Sequence, residues 1–338
     1  MSLSKLLCIL GSTSTGKTDV ALKLAGKFNG ELVSCDSRQV YKGLDIGTGK
    51  LPGEKVSIKK GKGFWEMGGV KVWMYDVAES KKEYSVYDYV KDANKVIEDI
   101  AKRGKLPIIV GGTGLYLKAL VEGLPNLAIP INLKLRKQLG SLTLLKLQKK
   151  FQKVSPDRWE KMNNSDRQNP RRLIRAIEVT MSNHEGDPSS PALPAPQDDN
   201  LGLEIIPKLS NVNVLKVGLT APREVLYQRI DERVVSRIKE GVIEEAESLH
   251  KKGLSFKRME QLGLEYGILS EYLQGNILRT EELVKILQGK IHGYARRQET
   301  WFKKEKDVYW FDITKEGWFK QVEKKVCTWY YLKNDQTN

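Results

Sequence analysis

The octapeptide Gly11-Ser12-Thr13-Ser14-Thr15-Gly16-Lys17-Thr18 satisfies the pattern GxxxxGK[ST]. It follows a short apolar run, LLCIL (6–10), and precedes the helical pattern DVALKLAGKF. This strand, glycine loop and helix form the context in which such a loop cradles phosphate. Glycines let the backbone curl so that successive N–H groups point inward, and the helix N-terminus adds positive potential. Lys17 supplies a mobile charge for phosphate oxygens, and the Thr18 hydroxyl suits Mg²⁺. The pattern does not specify which phosphate compound binds.

Three other positions invite a chemical reading. Asp36 follows the second apolar run, ELVSC (31–35), at the end of a strand, where open α/β sheets place ligands. It either caps a helix starting at Ser37 or serves as a base or metal-organising carboxylate beside the phosphate loop; position alone leaves these readings even. Gly111-Gly112-Thr113-Gly114 closes another buried run, LPIIV. It reads first as a tight strand-to-helix turn and second as an anion-binding turn that presents the Thr113 hydroxyl to the same sheet edge. Asp76, after VWMY, resembles the carboxylate that holds Mg²⁺ in many P-loop proteins, and reads equally as a strand end. The strand at 106–110 ends in glycine and not in a carboxylate pair, which argues against an ATP-hydrolysing motor. His184, His250 and His292 are isolated and are expected on the surface or in packing.

Charge narrows the partner. The 338 residues carry 57 Lys+Arg against 42 Asp+Glu, a net charge of +15. Such an excess favours a polyanion, nucleic acid before membrane. It is also local: 13 basic against 4 acidic residues from Asn132 to Met181, and 7 against 2 from Lys285 to Lys306. Within Asn169-Pro170-Arg171-Arg172-Leu173-Ile174-Arg175, Arg171 and Arg175 are four apart and share a helix face. In so basic a segment, that face is expected to touch a phosphate backbone. Arg223, Arg229 and Arg233 recur at helical spacing further on, with Arg223 close to a strand end. Arg296-Arg297-Gln298 with Trp301 and Phe302 mixes cation and aromatic, as RNA binding or core packing of a C-terminal helix would.

The elements that position these residues alternate. Strands are expected at 6–10, 31–35, 70–77 and 106–110, with helices after the glycine turns and over 84–103. The glycine- and lysine-rich stretch 43–63 reads as mostly loop. The fold class is α/β, a P-loop NTPase-like doubly wound parallel sheet with an inserted all-helical subdomain. The catalytic core is assigned to 1–124 and 212–338, where 213–219 and 307–313 return as strands. The basic helical subdomain covers 125–182, and a flexible linker covers 183–211, with four of the twelve prolines between 182 and 200. A 40% hydrophobic and 29% charged composition fits a globular protein, and the longest apolar runs fall well short of the ~20 residues a membrane span needs. The first residues run straight into the glycine motif without the pattern of a secretory leader. Cys8, Cys35 and Cys327 are widely spaced, so neither a disulfide framework nor a cysteine-built zinc site is expected. A cytoplasmic location follows, with Cys8 and Cys35 as small core residues.

Taken together, the stretches GSTSTGKT (11–18), SCDSRQVYKGLDIGTGK (34–50), VGGTGLYLKAL (110–120), NPRRLIRAIEV (169–179), PREVLYQRI (222–230) and YARRQETWF (294–302) resemble one family, in family order over nearly the whole chain. That family is the tRNA dimethylallyltransferases, isopentenyl-transferring enzymes that modify an adenosine beside the anticodon. Two departures stand out. Val72-Trp73-Met74-Tyr75-Asp76 replaces a His-His-Leu-x-Asp-like run, and the proline-rich linker replaces a short Thr-Gly segment.

The resemblance implies transfer of a dimethylallyl group from dimethylallyl diphosphate to N6 of adenosine 37, with diphosphate released. Residues 11–18 would hold the diphosphate. Lys17, the loop amides, Mg²⁺ held by Thr18 and Asp36, and Arg223 would stabilise the leaving charge. Asp36 would accept the N6 proton, and Thr113 would help place the reacting atoms. The adenine would be extruded into the protein from an anticodon loop, where unstacking is cheap. Asp36, Ser37, Arg38, Gln39 and Thr113 would read it. Arg136, Gln168, Asn169, Arg171, Arg172, Arg175, Gly263 and Tyr266 would grip the anticodon stem-loop. A monomer without membrane contact suffices. The alternatives are a P-loop kinase of a small metabolite, which leaves the charge unexplained, and a non-catalytic RNA-binding P-loop switch.

Overall fold

The structure is a computed structural model that describes residues 4–53, 56–124, 126–127, 129–184 and 212–332, with the side chains of 183 and 184 excepted. The chain divides into two compact units, Met1–Gly123 with Pro207–Asn338, and Leu124–Ile206. The expected linker lies almost wholly outside the described residues.

In the larger unit, eight strands form one sheet in the order β3-β4-β5-β2-β6-β1-β7-β8. Strand β1 (Lys5–Gly11) is central and pairs in parallel with β6 (Leu106–Gly111) and β7 (Asn213–Thr220). Its unbroken apolar run is explained by burial on both faces. Leu7 and Ile9 join a core with α1 (Lys17–Lys27) and α14 (Trp318–Tyr331). Leu6, Cys8 and Leu10 face the opposite way and are equally buried. That side is packed by α2 (Val86–Lys102), α3 (Gly114–Val121) and α13 (Thr280–Phe302). The chain therefore leaves β1 into a helix on one face and leaves β6, its neighbour, into a helix on the other. This opens a crevice at the carboxyl ends of the two strands. The buried Cys8 thiol is pushed up to about 12, as befits an inert core residue.

Three local features differ from expectation. The stretch 43–63 is not all loop: β3 (Ile58–Gly61) pairs antiparallel with β4 (Phe64–Met67), which pairs with β5 (Val70–Trp73). Lysines on an exposed edge strand disguise it as loop, though charge there is how sheets protect an open edge. The strand expected over 70–77 stops at Trp73, because Met74 and Asp76 take positive φ of 68° and 56°. Asp76 is not a metal carboxylate facing the crevice. Its oxygens bind the buried Lys50 at 2.5 Å and the Trp65 indole N–H at 2.6 Å, a structural role in the turn after β5.

The smaller unit is helical: α4 (Leu133–Gly140), α5 (Leu144–Val154), α6 (Pro156–Lys161), α7 (Asn164–Arg167) and α8 (Pro170–His184). Leu135, Leu139, Leu147, Phe151, Leu173, Ala176 and Ile177 form its core. Fully buried Glu178 anchors it, accepting two bonds from the Arg136 guanidinium (2.9 and 2.8 Å), one from Arg175 (2.6 Å) and the Asn132 N–H.

At the amino end of the sheet, away from the crevice, Glu31 is 1% exposed. It accepts paired bonds from Arg103 (2.7 Å each), one from Lys105 (2.8 Å) and one from the Trp73 indole (2.7 Å). Burial alone would push its carboxyl up; these donors outweigh burial and hold it at about 2. The folded value lies below the unfolded one, so the stabilisation is present above pH ~4.5 and lost as pH falls toward 2. With Arg103 and Lys105 about one-third exposed, the cluster contributes on the order of 2 kcal/mol. Glu31→Gln should lower the urea midpoint at pH 7 by about that much and flatten the loss of stability between pH 5 and 2, as read by equilibrium unfolding.

Candidate functional site

Both glycine turns open on the crevice. Strand β1 ends at Gly11, with φ of 141° and the Leu219 carbonyl so close that a Cβ would overlap it. The loop then folds on itself: the Thr15 hydroxyl and the Lys17 ammonium both donate to the Ser12 carbonyl, at 2.9 and 2.6 Å. Gly16 is left-handed and opens α1, placing Thr18 in its first turn. Across the crevice, Cys35 N–H donates to the Val110 carbonyl and Thr113 N–H to the Cys35 carbonyl, zipping the Asp36 turn to the second glycine turn. The Thr113 hydroxyl accepts Ser37 N–H at 3.2 Å. Asp36 Oδ1 accepts the N–H groups of Arg38 (2.8 Å) and Gln39 (3.4 Å). Asp36 thus caps a turn, not the helix from Ser37 that one reading expected, and also lines the crevice.

The result is a cavity of about 760 Å³ whose walls include Thr13, Ser14, Gly16, Lys17, Thr18, Asp36, Tyr294 and Gln298. Its third wall is α9 (Arg223–Lys239), which contributes Arg229, Arg233 and Arg237 at four-residue intervals, one helix face. Arg233 donates to the Thr13 hydroxyl at 2.5 Å. Burial, then Arg237, pulls its guanidinium down to about 9, so it stays charged at neutral pH. Burial and Arg233 lower Lys17 to about 7, against the pull of Asp36. The cavity therefore concentrates positive charge that burial makes costly, and a polyanion would relieve it.

Arg223 is not part of this wall. It is 54% exposed, 3.4 Å from Glu299, and borders a separate cleft with Ser12 and Trp310. It stands at the first position of α9, six positions before Arg229 and about 9 Å along the helix axis from it. The helical spacing was visible in the sequence; closeness to a strand end singled out Arg223, which lies in that separate cleft and not on the wall formed by 229, 233 and 237.

The expected RNA-gripping residues divide. Arg171 and Gln168 are exposed, and Asn169 accepts Arg172 N–H at 3.3 Å at the start of α8. Arg172 pairs with Asp166. Arg136 and Arg175 are instead committed to Glu178, with Arg175 also donating to the carbonyls of Asn126 and Ile129. The α8 face that Arg175 shares with Arg171 is partly an internal clamp, because buried Glu178 claims Arg175 together with Arg136 of α4. Tyr266 is 1% exposed and cannot grip a surface ligand; its hydroxyl donates to Glu245 at 2.6 Å. Gly263 links α11 (Phe256–Leu262) to α12 (Leu264–Leu273) at positive φ, beside the Arg38 side chain. Gln39 lines the cavity, but its amide is occupied by Ser34, Thr48 and Gly49.

Glu245, on α10 (Val242–Lys251), was not singled out from sequence. Its carboxylate takes the N–H groups of Asp45, Ile46 and Gly47 at 2.8, 2.8 and 3.1 Å. Lys50 fixes the other end of that loop through Asp45 and Asp76. Tyr294 and Gln298 were also missed as wall residues; their four-residue spacing on α13 was the available signal. The expected packing role holds for His250, stacked on Phe256, and His292, stacked on Tyr227.

Residues 39–305 match the IPP transferase family, and 4–60 match the isopentenyl transferase family. A Treponema denticola protein named tRNA dimethylallyltransferase 2 is 42% identical, covering 88% of this chain and 90% of the relative. The full-length tRNA isopentenylpyrophosphate transferase of Bacillus halodurans is 31% identical, covers 96% of each chain and superposes with a TM-score of 0.65. A eukaryotic dimethylallyltransferase acting on tRNA, 23% identical, shares the fold with a TM-score of 0.71 over 96% of this chain and 78% of that one. The match runs from the turn after Asp36 through the arginine face of α9 to the end of α13, so this chain belongs to the IPP transferase family.

Proposed function

We propose that the protein transfers the dimethylallyl group of dimethylallyl diphosphate to N6 of adenosine 37, beside the anticodon of tRNA, and releases diphosphate. The observation that carries this reading is one cavity holding both a cationic phosphate cradle and the Asp36 carboxylate. Family membership and the names of the relatives support the transferred group and the RNA acceptor.

The chemistry follows from the walls. The allylic C–O bond breaks with its electron pair leaving on the diphosphate, while the N6 lone pair forms the new C–N bond. Lys17, the free amides of the loop, Arg229 and Arg233 face the charge that develops on the leaving oxygens. The acceptor amine is weak because its lone pair is delocalised into the purine, and its proton passes to Asp36 as the bond forms. Thr113, held against Ser37 N–H, fixes the turn that carries this carboxylate. An anticodon loop presents bases outside a duplex, so taking one out of its stack costs little.

Mg²⁺ fits the donor set. Thr18 and Asp36 offer hard oxygens on the cavity wall, and Mg²⁺ is ordinarily held by one or two such groups plus substrate phosphates. Among the described residues there is no cluster of three or more His, Cys, Asp or Glu that would hold a metal by itself. Bound there, the ion would neutralise leaving-group charge. No described helix is long and apolar enough to cross a membrane. We read the protein as a cytoplasmic monomer.

Purified protein incubated with labelled dimethylallyl diphosphate, Mg²⁺ and tRNA should yield N6-dimethylallyladenosine on nucleoside mass analysis, and ATP should not substitute; absence of label on any tRNA with adenosine at position 37 sinks the reading. Asp36→Ala should lower kcat by ~10²–10⁴-fold with tRNA binding near wild type in a filter assay. Arg233→Ala should cost at least ~10²-fold in kcat/KM for the diphosphate, whereas Arg223→Ala should stay within about threefold. Equal losses at the two arginines would contradict the wall assignment.

A further inference from the structure

Gln298 occupies a position that the reaction as described does not use. It is 5% exposed, and both polar atoms of its amide are taken: Oε1 accepts Thr13 N–H at 2.8 Å, and Nε2 donates to the Gly112 carbonyl at 2.9 Å. Thr13 belongs to the first glycine turn and Gly112 to the second. The β1–β6 ladder stops at Leu10 and Gly111, and beyond it the two turns diverge toward helices on opposite faces of the sheet. Gln298 bridges them just past the last backbone pair. Gly112 lies so close that a Cβ there would overlap the Gln298 amide nitrogen. Tyr294 and Trp301 lie on the same face of α13: Tyr294 lines the cavity, and the Trp301 indole packs against Gly114.

Direction matters as much as contact. The bridging side chain must accept from one turn and donate to the other, and an amide is the side chain that does both in one plane. Thr13 N–H is aimed at Gln298, which fixes the loop's orientation and therefore which amides remain for phosphate. The Gly112 carbonyl fixes the turn whose next residue, Thr113, holds Ser37 beside Asp36.

We propose that Gln298 is a positioning residue that sets the separation between the leaving-group cradle and the proton-accepting carboxylate. It rests on the reading of the cavity given above. A displacement of about 1 Å between reacting groups costs on the order of 10²-fold in rate, so its effect falls on kcat, with RNA affinity spared.

The test uses the full chain and two variants, with a third held in reserve. Gln298→Glu is isosteric; at pH 8 its carboxylate can still accept from Thr13 but faces the Gly112 carbonyl without a hydrogen, and protonation restores the donor. Its kcat, expressed as a ratio to wild type, should fall ~10²-fold at pH 8 and recover at least ~10-fold by pH 6, with KM for tRNA within about threefold throughout. Gln298→Leu should show the loss without the recovery. Melting temperatures are measured alongside. If Gln298→Glu is unfolded at pH 8, Gln298→Asn, which keeps both groups but is one methylene short of spanning the turns, is read by the same kcat and KM criteria. Ratios within threefold of wild type, a loss confined to tRNA affinity, or a Gln298→Glu ratio flat with pH would overturn the proposal while leaving the transferase reading intact. Failure of the unaltered enzyme to transfer label would overturn the reading beneath it.

Discussion

Like charges crowded along the half-buried wall of one cavity are the constraint around which this protein is arranged. Lys17 and Arg233 face one cavity, each lowered by burial and by a neighbouring guanidinium. Holding them there costs free energy that the folded protein supplies from elsewhere, chiefly from a sheet buried on both faces. A ligand bearing two or more negative charges repays that cost on arrival. The same arrangement favours the moment when an allylic ester ionises, because negative charge then increases at those very groups.

The fold serves this constraint by leaving a crevice where β1 and β6 send their helices to opposite faces. Everything else around the cavity is bracing. Lys50 and Glu245 pin the loop from Asp45 to Lys50, and α9 and α13 each line the cavity with one face. The smaller unit has a separate core and its own charged anchor at Glu178, so its basic character is in part internal architecture.

Much of this was legible in the residues. The strand–glycine–helix pattern at 6–28 and the carboxylate after ELVSC placed both sides of the cavity, because such features depend on neighbours in sequence. The parallel core followed from apolar runs punctuated by glycine. What was not legible depends on partners far along the chain. Arg136 and Arg175 read as surface cations because composition does not reveal a buried Glu178 waiting for them. Tyr266 read as an exposed contact because nothing nearby in sequence says that its hydroxyl meets Glu245. Arg223 and Arg233 look alike until their positions along α9 are compared with that of the cavity. The β3–β4 hairpin was hidden by the lysines that protect its edge.

The nest formed by the amides of Asp45, Ile46 and Gly47 has one more consequence. Three converging N–H groups form a concavity suited to an anion, here in a protein of net charge +15. Here the place is filled from within, by the Glu245 carboxylate, whose attachment to the same polypeptide makes the encounter intramolecular. The molecule thereby plugs its own decoy, and inorganic phosphate or a misplaced nucleotide finds that second foothold already occupied.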